Sequence, residues 1–417
     1  MGLDISAANA ALKVHYAKSL SKVLYTDPFM TPFMGLTARK GGKLVKGAFG
    51  QKFVVPLKVR DPQTGNSNFT KAQNKSDGSF GQSNYVAFEV PAVLGYSTGR
   101  ITGQAVVQSQ GDTNSFVDLM SEEIDGALRS AQFEIAQMAF RTGFGTRGRI
   151  SARTTTTVTL ANASDAQNFD VDMDIGASSG EGSGGRAGTG RITAINTDTG
   201  VITLTGVDPV ASGWAVNDYL FKDGDYVAST RTKIWGCGAW VPETVPSSGE
   251  NFAGVDRSST FKLHGLRHSA ASSGSFKDAL IDASAKVALH RGKTTHAFCN
   301  PMDFGTLAKS LETAKRVNLS GKDPEYQLNY EGIEVIGHGG SFPVLQDATV
   351  PKGSCFMLNL NHIYWVYAGD ELVHIADEDG NMVLRKGDAD AYEVRCRSIA
   401  NLVCDNPATQ MVVYGIT

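Results

Sequence analysis

Apolar residues recur every three or four positions between Ser115 and Thr142, at Phe116, Leu119, Met120, Ile124, Ala127, Leu128, Ala131, Ile135, Met138 and Ala139. That period predicts one long amphipathic helix. Ser115 with Asp118 supplies an N-cap and a first-turn acid, and Gly143 a stop. At about 1.5 Å per residue the helix would run about 42 Å, more than a compact domain needs, so it reads as a strut. Gly126 in its interior predicts close approach by a neighbouring backbone.

Upstream, Ala8, Leu12, Tyr16, Leu20, Val23 and Leu24 share a helical register that ends at Asp27-Pro28. The period then changes to two: Phe53, Val55, Leu57 and Val59 alternate with Lys52, Lys58 and Arg60 over Gln51–Arg60, and a second extended run covers Asn84–Leu94. The polar stretch Asp61–Ser83 between them reads as a loop. A two-stranded ribbon is marginal alone in water, and so long a loop is uncommon inside a compact domain. The ribbon is therefore expected to rest on another molecule.

Beyond the strut, residues 150–240 are rich in Thr and Gly, with short alternating strands and tight turns. Arg191–Thr205 predicts a hairpin turning at Asp198-Thr199-Gly200, and Ala215–Phe221 leads to a second turn at Lys222-Asp223-Gly224. This is an inserted small β-barrel or sandwich. Within it, the Gly/Ser tract Gly176–Gly190 has no apolar face and reads as a mobile surface loop, so that deleting Ser178–Gly188 should be tolerated.

From Phe261 the pattern is α/β. Ser275 opens a helix reaching Arg291, Thr294–Cys299 is a buried strand, and Asn300-Pro301 opens the next helix. Ile333–Ile336, Ser354–Leu358 and Ala391–Cys404 supply further strands. The predicted organisation is an N-terminal arm (1–50), the ribbon (51–94), a peripheral part with the strut (95–149), the β insertion (150–240), an α/β part (241–380) and return strands (381–417), an α+β chain.

With 417 residues, 41% of them hydrophobic, the chain can bury a sizeable core in two or three domains, and its 46 glycines favour hairpins over a helical bundle. The net charge of −3 hides an asymmetry: residues 1–60 carry ten Lys and Arg against Asp4 and Asp27, a local +8 that leaves −11 for the rest. A basic arm on an acidic body suggests contacts between copies. There is no apolar signal region and no 18-residue apolar run, so neither secretion by the usual route nor a membrane span is expected. Met1-Gly2-Leu3-Asp4-Ile5-Ser6 fits the loose myristoylation spelling with nothing to support it. The five cysteines, Cys237, Cys299, Cys355, Cys396 and Cys404, sit in apolar settings and read as reduced core residues.

Catalytic chemistry is hard to find. Gly143–Gly148 and Gly180–Gly185 spell G-x-G-x-x-G, but neither follows a strand and opens a helix, so neither can aim N–H groups at a pyrophosphate. Gly176–Gly180 spells a nucleophile elbow without the strand-to-helix turn that elbow requires. No cofactor is expected. Asp170, Asp172, Asp174 and Glu181 match positions 1, 3, 5 and 12 of a calcium loop, with Gly176 one place late, and a solvated acidic strand edge is the simpler account. His264 and His268, four apart, lack a third ligand.

The order of parts carries a resemblance: basic arm, extended ribbon, long helix, the run Cys299–Phe304, Gly332–Gly337, and the closing Tyr392–Arg397 and Cys404–Pro407. It is similar over nearly its whole length to the major capsid protein of tailed bacteriophages, the Hong Kong 97-like fold. Residues 150–240, with Asn217–Gly224 and Gly238–Pro242, resemble the insertion domain some of these coat proteins carry. The resemblance implies assembly and no catalysis: many copies in pentamers and hexamers of an icosahedral shell, packaged double-stranded DNA, no membrane contact, and location in the virion after assembly in the host cytoplasm. A separate scaffolding protein, a portal and a decoration protein are the implied partners. Intersubunit contacts would come from the ribbon, through Phe53, Val55 and Leu57 and through Lys58, Arg60, Lys71 and Lys75. Two other readings remain open: an encapsulin-like compartment shell, and an enzyme with a site between the α/β part and the β insertion.

Overall fold

The computed structural model describes residues 31–39, 45–46, 52–77, 82–105, 119–310, 316–319, 330–368, 372–375 and 383–416. The predicted N-terminal helix, the myristoylation spelling and the Ser115–Asp118 cap lie outside the described residues. The chain divides into two compact units. The larger comprises Phe29–Gly95, Gln132–Leu372 and Ser398–Thr417; the smaller comprises Met1–Pro28, Tyr96–Ala131 and Val373–Arg397.

In the larger unit, β1 (Lys52–Arg60) and β2 (Asn84–Pro91) pair antiparallel from Lys52↔Pro91 to Lys58↔Tyr85, as the alternation predicts. One expectation about this ribbon is corrected. The polar stretch between its strands holds a helix, α1 (Phe69–Asp77), started by Asn68, whose side chain accepts from the Lys71 N–H at 3.3 Å. A helix exposed on most sides has no apolar stripe to read. The ribbon also rests on its own chain: Val55, Phe88 and Val90 are buried, and the Phe88 ring lies 5.3 Å from Trp240 and 6.2 Å from Phe252. The Glu89 N–H donates to the Ala253 carbonyl at 2.9 Å and Lys262 Nζ to the Val59 carbonyl at 2.7 Å.

After β3 (Val93–Thr102) comes the strut, α2 (Leu119–Met138), 20 residues and so about 30 Å long. It stops four residues before Thr142, because Ala139 and Phe140 turn into the core of the larger unit. Gly143 and Gly145, at φ +88° and +84°, then reverse the chain.

The strands β4 (Thr146–Arg153), β5 (Thr157–Leu160), β6 (Asp174–Gly180), β7 (Ser183–Gly185), β8 (Gly190–Asn196), β9 (Val201–Thr205) and β10 (Tyr219–Lys222) follow. They form one antiparallel sheet in the order β10-β4-β5-β9-β8-β6, with β7 folded back on β6, and β6 pairs with β10 to close it. The insertion is a closed barrel with its own apolar filling, among it Ile150, Val158, Ile175, Ile192, Ile202, Leu220 and Trp214. The predicted hairpin is there, Asn196 accepting from the N–H groups of Asp198 and Thr199 at 3.0 and 3.1 Å. The predicted mobile loop is not. Gly176 and Ala177 sit in the closing strand opposite Phe221 and Leu220. A Cβ on Gly182 would stand 2.8 Å from the Phe144 ring, and one on Gly185 2.8 Å from Tyr226. The glycines let aromatic rings lie against the backbone; they are not slack.

Further elements of this unit include β11 (Leu266–Ser269), α3 (Phe276–Leu289), β12 (His296–Cys299), α4 (Pro301–Ser310), β13 (Arg316–Leu319), β14 (Tyr330–Gly337), β15 (Gly340–Gln346), β16 (Ser354–Leu358), β17 (Ile363–Tyr367), the second part of β18 (Ala391–Cys404) and β19 (Met411–Tyr414). A mixed sheet runs β11-β19-β16-β12-β15-β14-β13, and α3 and α4 cover its core. Both caps read from sequence are made: Ser275 accepts from the Asp278 N–H at 3.2 Å, and Asn300 from the Met302 N–H at 3.0 Å. β17 pairs with the end of β18, Ile363↔Cys404 to Tyr367↔Ala400. All five cysteines are buried and free.

In the smaller unit, the first part of β18 pairs with the short strands His374–Ile375 and Leu384–Arg385. The close approach to the strut is made by Gly99 of β3, where a Cβ would stand 3.0 Å from the Glu123 carbonyl oxygen and 3.5 Å from Ala127. At Gly126, the predicted position, the nearest atom is 4.0 Å away on Glu123 of the same helix.

Candidate assembly surface

The ribbon residues read from sequence divide into two sets. Val55 faces inward, and Phe53 and Leu57 are half-buried, Phe53 with its ring edge-on to Tyr364 at 6.4 Å. Lys58 pairs with Asp61 at 2.6 Å, and Arg60 donates to the Gln82 carbonyl at 3.4 Å, so both are engaged within the ribbon. Lys71 and Lys75 of α1 are exposed and make no ion pair among the described residues. At the start of the same helix Phe69 is 79% exposed, and on the ribbon's second strand Tyr85, under the Lys58 ammonium at 6.0 Å, is 67% exposed.

The calcium-loop carboxylates do not converge. A calcium loop must curl, whereas Asp174–Gly180 is extended strand, rising about 3.3 Å per residue and separating Asp174 from Glu181. Asp174 is held by Arg191 at 3.0 and 3.1 Å, Asp170 accepts from the Val171 N–H at 2.8 Å, and Glu181 accepts from the Thr146 hydroxyl at 2.9 Å. Among the described residues no three His, Cys, Asp or Glu gather as a metal site. His268 bonds Ser273 at 2.7 Å, and Ser273 donates to Asp282 at 2.6 Å; the acid orients the serine and not the imidazole, so this is no catalytic relay.

Two features escaped the sequence reading. The first is a buried charge network at the end of α2. Arg147 Nη1 donates to Gln137 at 2.6 Å and to the Asn168 carbonyl at 3.0 Å, and Nη2 to Glu134. Glu134 also faces Lys222 at 3.4 Å and Lys233 at 3.5 Å. Burial alone would raise the Glu134 carboxyl, but Arg147, Lys233 and Lys222 outweigh it and hold the group at about 2 against an ordinary 4.5. The only hint in the sequence is an acid and a glutamine three apart, just before a glycine stop.

The second is a cleft of about 400 Å³ where the barrel meets the rest of the larger unit, lined by Phe140, Phe144, Tyr219 and Phe356 and by Arg149, Glu181, Arg231, Glu243, Glu250 and Arg257. Arg231 and Arg257 cover the Phe252 ring at 4.9 and 3.8 Å, with Glu250 at 3.9 and 3.3 Å from their guanidinium groups. Burial lowers both arginines, Arg257 to about 10, and both remain cations at neutral pH, unsuited to proton transfer there. Glu243 accepts from the Ser354 hydroxyl.

No family model matches the chain, and no curated protein matches it in sequence. Solved structures do. The capsid asymmetric unit of Cyanophage A-1(L) superposes with a TM-score of 0.56 at 12% identity, over 98% of both chains. The capsid of the native GTA particle gives 0.52 at 8% identity, over 100% of this chain and 99% of its own. An encapsulin complex from Synechococcus elongatus superposes more loosely, at 0.45 and 8% identity over 100% and 96%. Both superpositions cover practically the full length of this chain and of the capsid proteins, and the chain has the Hong Kong 97-like capsid fold.

Proposed function

We propose that this chain is the major capsid protein of a tailed bacteriophage, assembling without catalysis into the icosahedral head shell around double-stranded DNA. The observation that carries the reading is superposition on capsid subunits over practically the full length of each chain. The ribbon supports it, since it exposes Phe69 and Tyr85 towards its far end, apolar side chains of the kind that mark a contact with another molecule. A scaffolding protein, a portal and a decoration protein are the partners such a shell would use, and the virion its final location. Purified full-length chain, alone and with lysate of cells expressing the whole phage gene set, should give closed shells or rings of five and six by light scattering and negative-stain imaging. Monomers under every condition would refute the reading. Shells recovered from infected cells should protect double-stranded DNA from nuclease; shells filled with protein would point to a compartment instead.

A further inference from the structure

The middle strand of the mixed sheet, β12, and its neighbour β16 set two cysteines opposite each other. They pair antiparallel in the register Ala297↔Met357, Phe298↔Phe356 and Cys299↔Cys355. Alternate residues share a face of a sheet. Ala297, Cys299, Cys355 and Met357 all fill the core under α3 and α4, while Phe298 and Phe356 turn to the other side and meet the Phe140 ring at 5.8 and 5.4 Å. Cys299 and Cys355 are thus direct cross-strand neighbours on one face. Residues so opposed have Cα atoms about 4.5 or 5.5 Å apart, and a disulfide spans roughly 4.4 to 6.8 Å, so the two strands need not move to be bridged. Both thiols are free and wholly buried. Hydrogen bonding to the Cys355 thiol, and then burial, push the Cys299 thiol well above its ordinary value. The other cysteines are not placed this way: Cys404 lies opposite Ile363, Cys396 opposite Ile375, and Cys237 sits in a short helical turn.

We infer that Cys299 and Cys355 are a redox site, which hydrogen peroxide converts from a dithiol into a cross-strand disulfide that locks β12 to β16. One sulfur, as thiolate, attacks the peroxide O–O bond and becomes a sulfenic acid, and the displaced hydroxide takes a proton to leave as water. The second sulfur then attacks the sulfenic sulfur, the S–S bond forms, and the departing hydroxyl takes the second thiol proton as another water. Two electrons pass from the sulfur pair to the peroxide. Burial makes the step slow, since oxidant reaches these sulfurs only when the strands part locally. The opposed thiol also captures the sulfenic acid before a second peroxide can. The bond would close a loop over the 55 residues between the two cysteines, which carry α4, β13, β14 and β15, and so constrain the unfolded chain. The chemistry does not depend on the capsid reading. Within a shell, a reducing cytoplasm would hold the dithiol and an oxidising exterior would let it close.

Peptide mapping of the full-length chain tests it. Chain treated with hydrogen peroxide in urea below its unfolding transition, then alkylated and digested, should yield the Cys299 and Cys355 peptides joined and two hydrogens lighter than the separate thiols. Dithiothreitol should release them. The oxidised chain should unfold at a urea midpoint about 1 M higher than the reduced chain. Cys299→Ala, or Cys355→Ala should the first not fold, should show no such shift after the same treatment. Separate thiols or sulfinic acids in the treated chain, a link from either residue to another cysteine, or a link that appears only above the unfolding transition overturns the inference. A midpoint that the link leaves unchanged overturns the lock as well.

Discussion

Arg147 is a cation walled off from water, and the fold tolerates it only because Glu134, Gln137 and the Asn168 carbonyl surround its head. Replacing Glu134 by Gln leaves that charge without its counterion, which for a buried pair costs about 3–5 kcal/mol in denaturant unfolding. The pH dependence has a definite sign. The Glu134 carboxyl falls from 4.5 to about 2 on folding, so its contribution, about 3 kcal/mol by linkage, is complete above pH 4.5 and is lost as pH falls towards 2. Asp347 works the other way, since burial raises its carboxyl, and the stability it lends declines as pH rises through its folded value. Subtracting the Glu134→Gln curve from the original therefore isolates the Glu134 share, and a difference that does not change between pH 5 and pH 2.5 would refute it. A second single-site expectation is steric. A Cβ on Gly236 would stand 2.6 Å from the Ala139 carbonyl oxygen, a backbone atom that cannot swing aside, so Gly236→Ala should cost about 1–3 kcal/mol or more by thermal melting.

The barrel decides what an element-scale change does. Its strands close on themselves around a separate filling, so a fragment from Gly143 to Tyr226 should fold alone, giving a cooperative melt by circular dichroism and dispersed amide resonances. Deleting Ser178–Gly188 should unfold that fragment, because it removes the end of the closing strand, the whole of β7 and the pairing of Arg186 with Asp218 at 2.7 Å. A deletion that keeps the native melt would show closure to be dispensable. This contrast locates what could be read from the sequence. The hairpin turning at Gly200 and the caps at Ser275 and Asn300 were legible because each is settled by residues two or three apart. The strand role of Gly176–Gly180 was not, because it depends on Phe221, far along the chain, and on rings of Phe144 and Tyr226 that only tertiary structure brings near. α1 was missed for the opposite reason: apart from Phe69 and Ala72 its local pattern is polar, with no repeating apolar face.

At the scale of the whole molecule, the ribbon's charges separate into spent and available. Lys58 and Arg60 already have partners in their own ribbon, so reversing both to Glu should reduce assembly less than reversing Lys71 and Lys75. Exposed ion pairs are weak and screened over about 8 Å at physiological salt, so the gap should be widest at low ionic strength and shrink as salt is added. Equal losses for the two variants across a salt series would contradict the division. The path of the described chain was legible from the order of its parts, because ribbon, strut and mixed sheet each leave their own periodicity. The cleft was not: Arg149, Glu181, Glu243 and Arg257 are scattered across the sequence and meet only after the barrel has closed.

That closure has one more consequence. Thr146 in the first barrel strand pairs with Phe221 in the last, and Arg149 with Tyr219, so the polypeptide leaves and returns through a neck one strand spacing wide, about 5 Å. To the backbone on either side, the barrel is geometrically interchangeable with a tight turn. Such a cassette can be shortened, enlarged or exchanged for foreign cargo without moving the ends it hangs from, which leaves the barrel free to diversify while the strands it hangs from stay fixed.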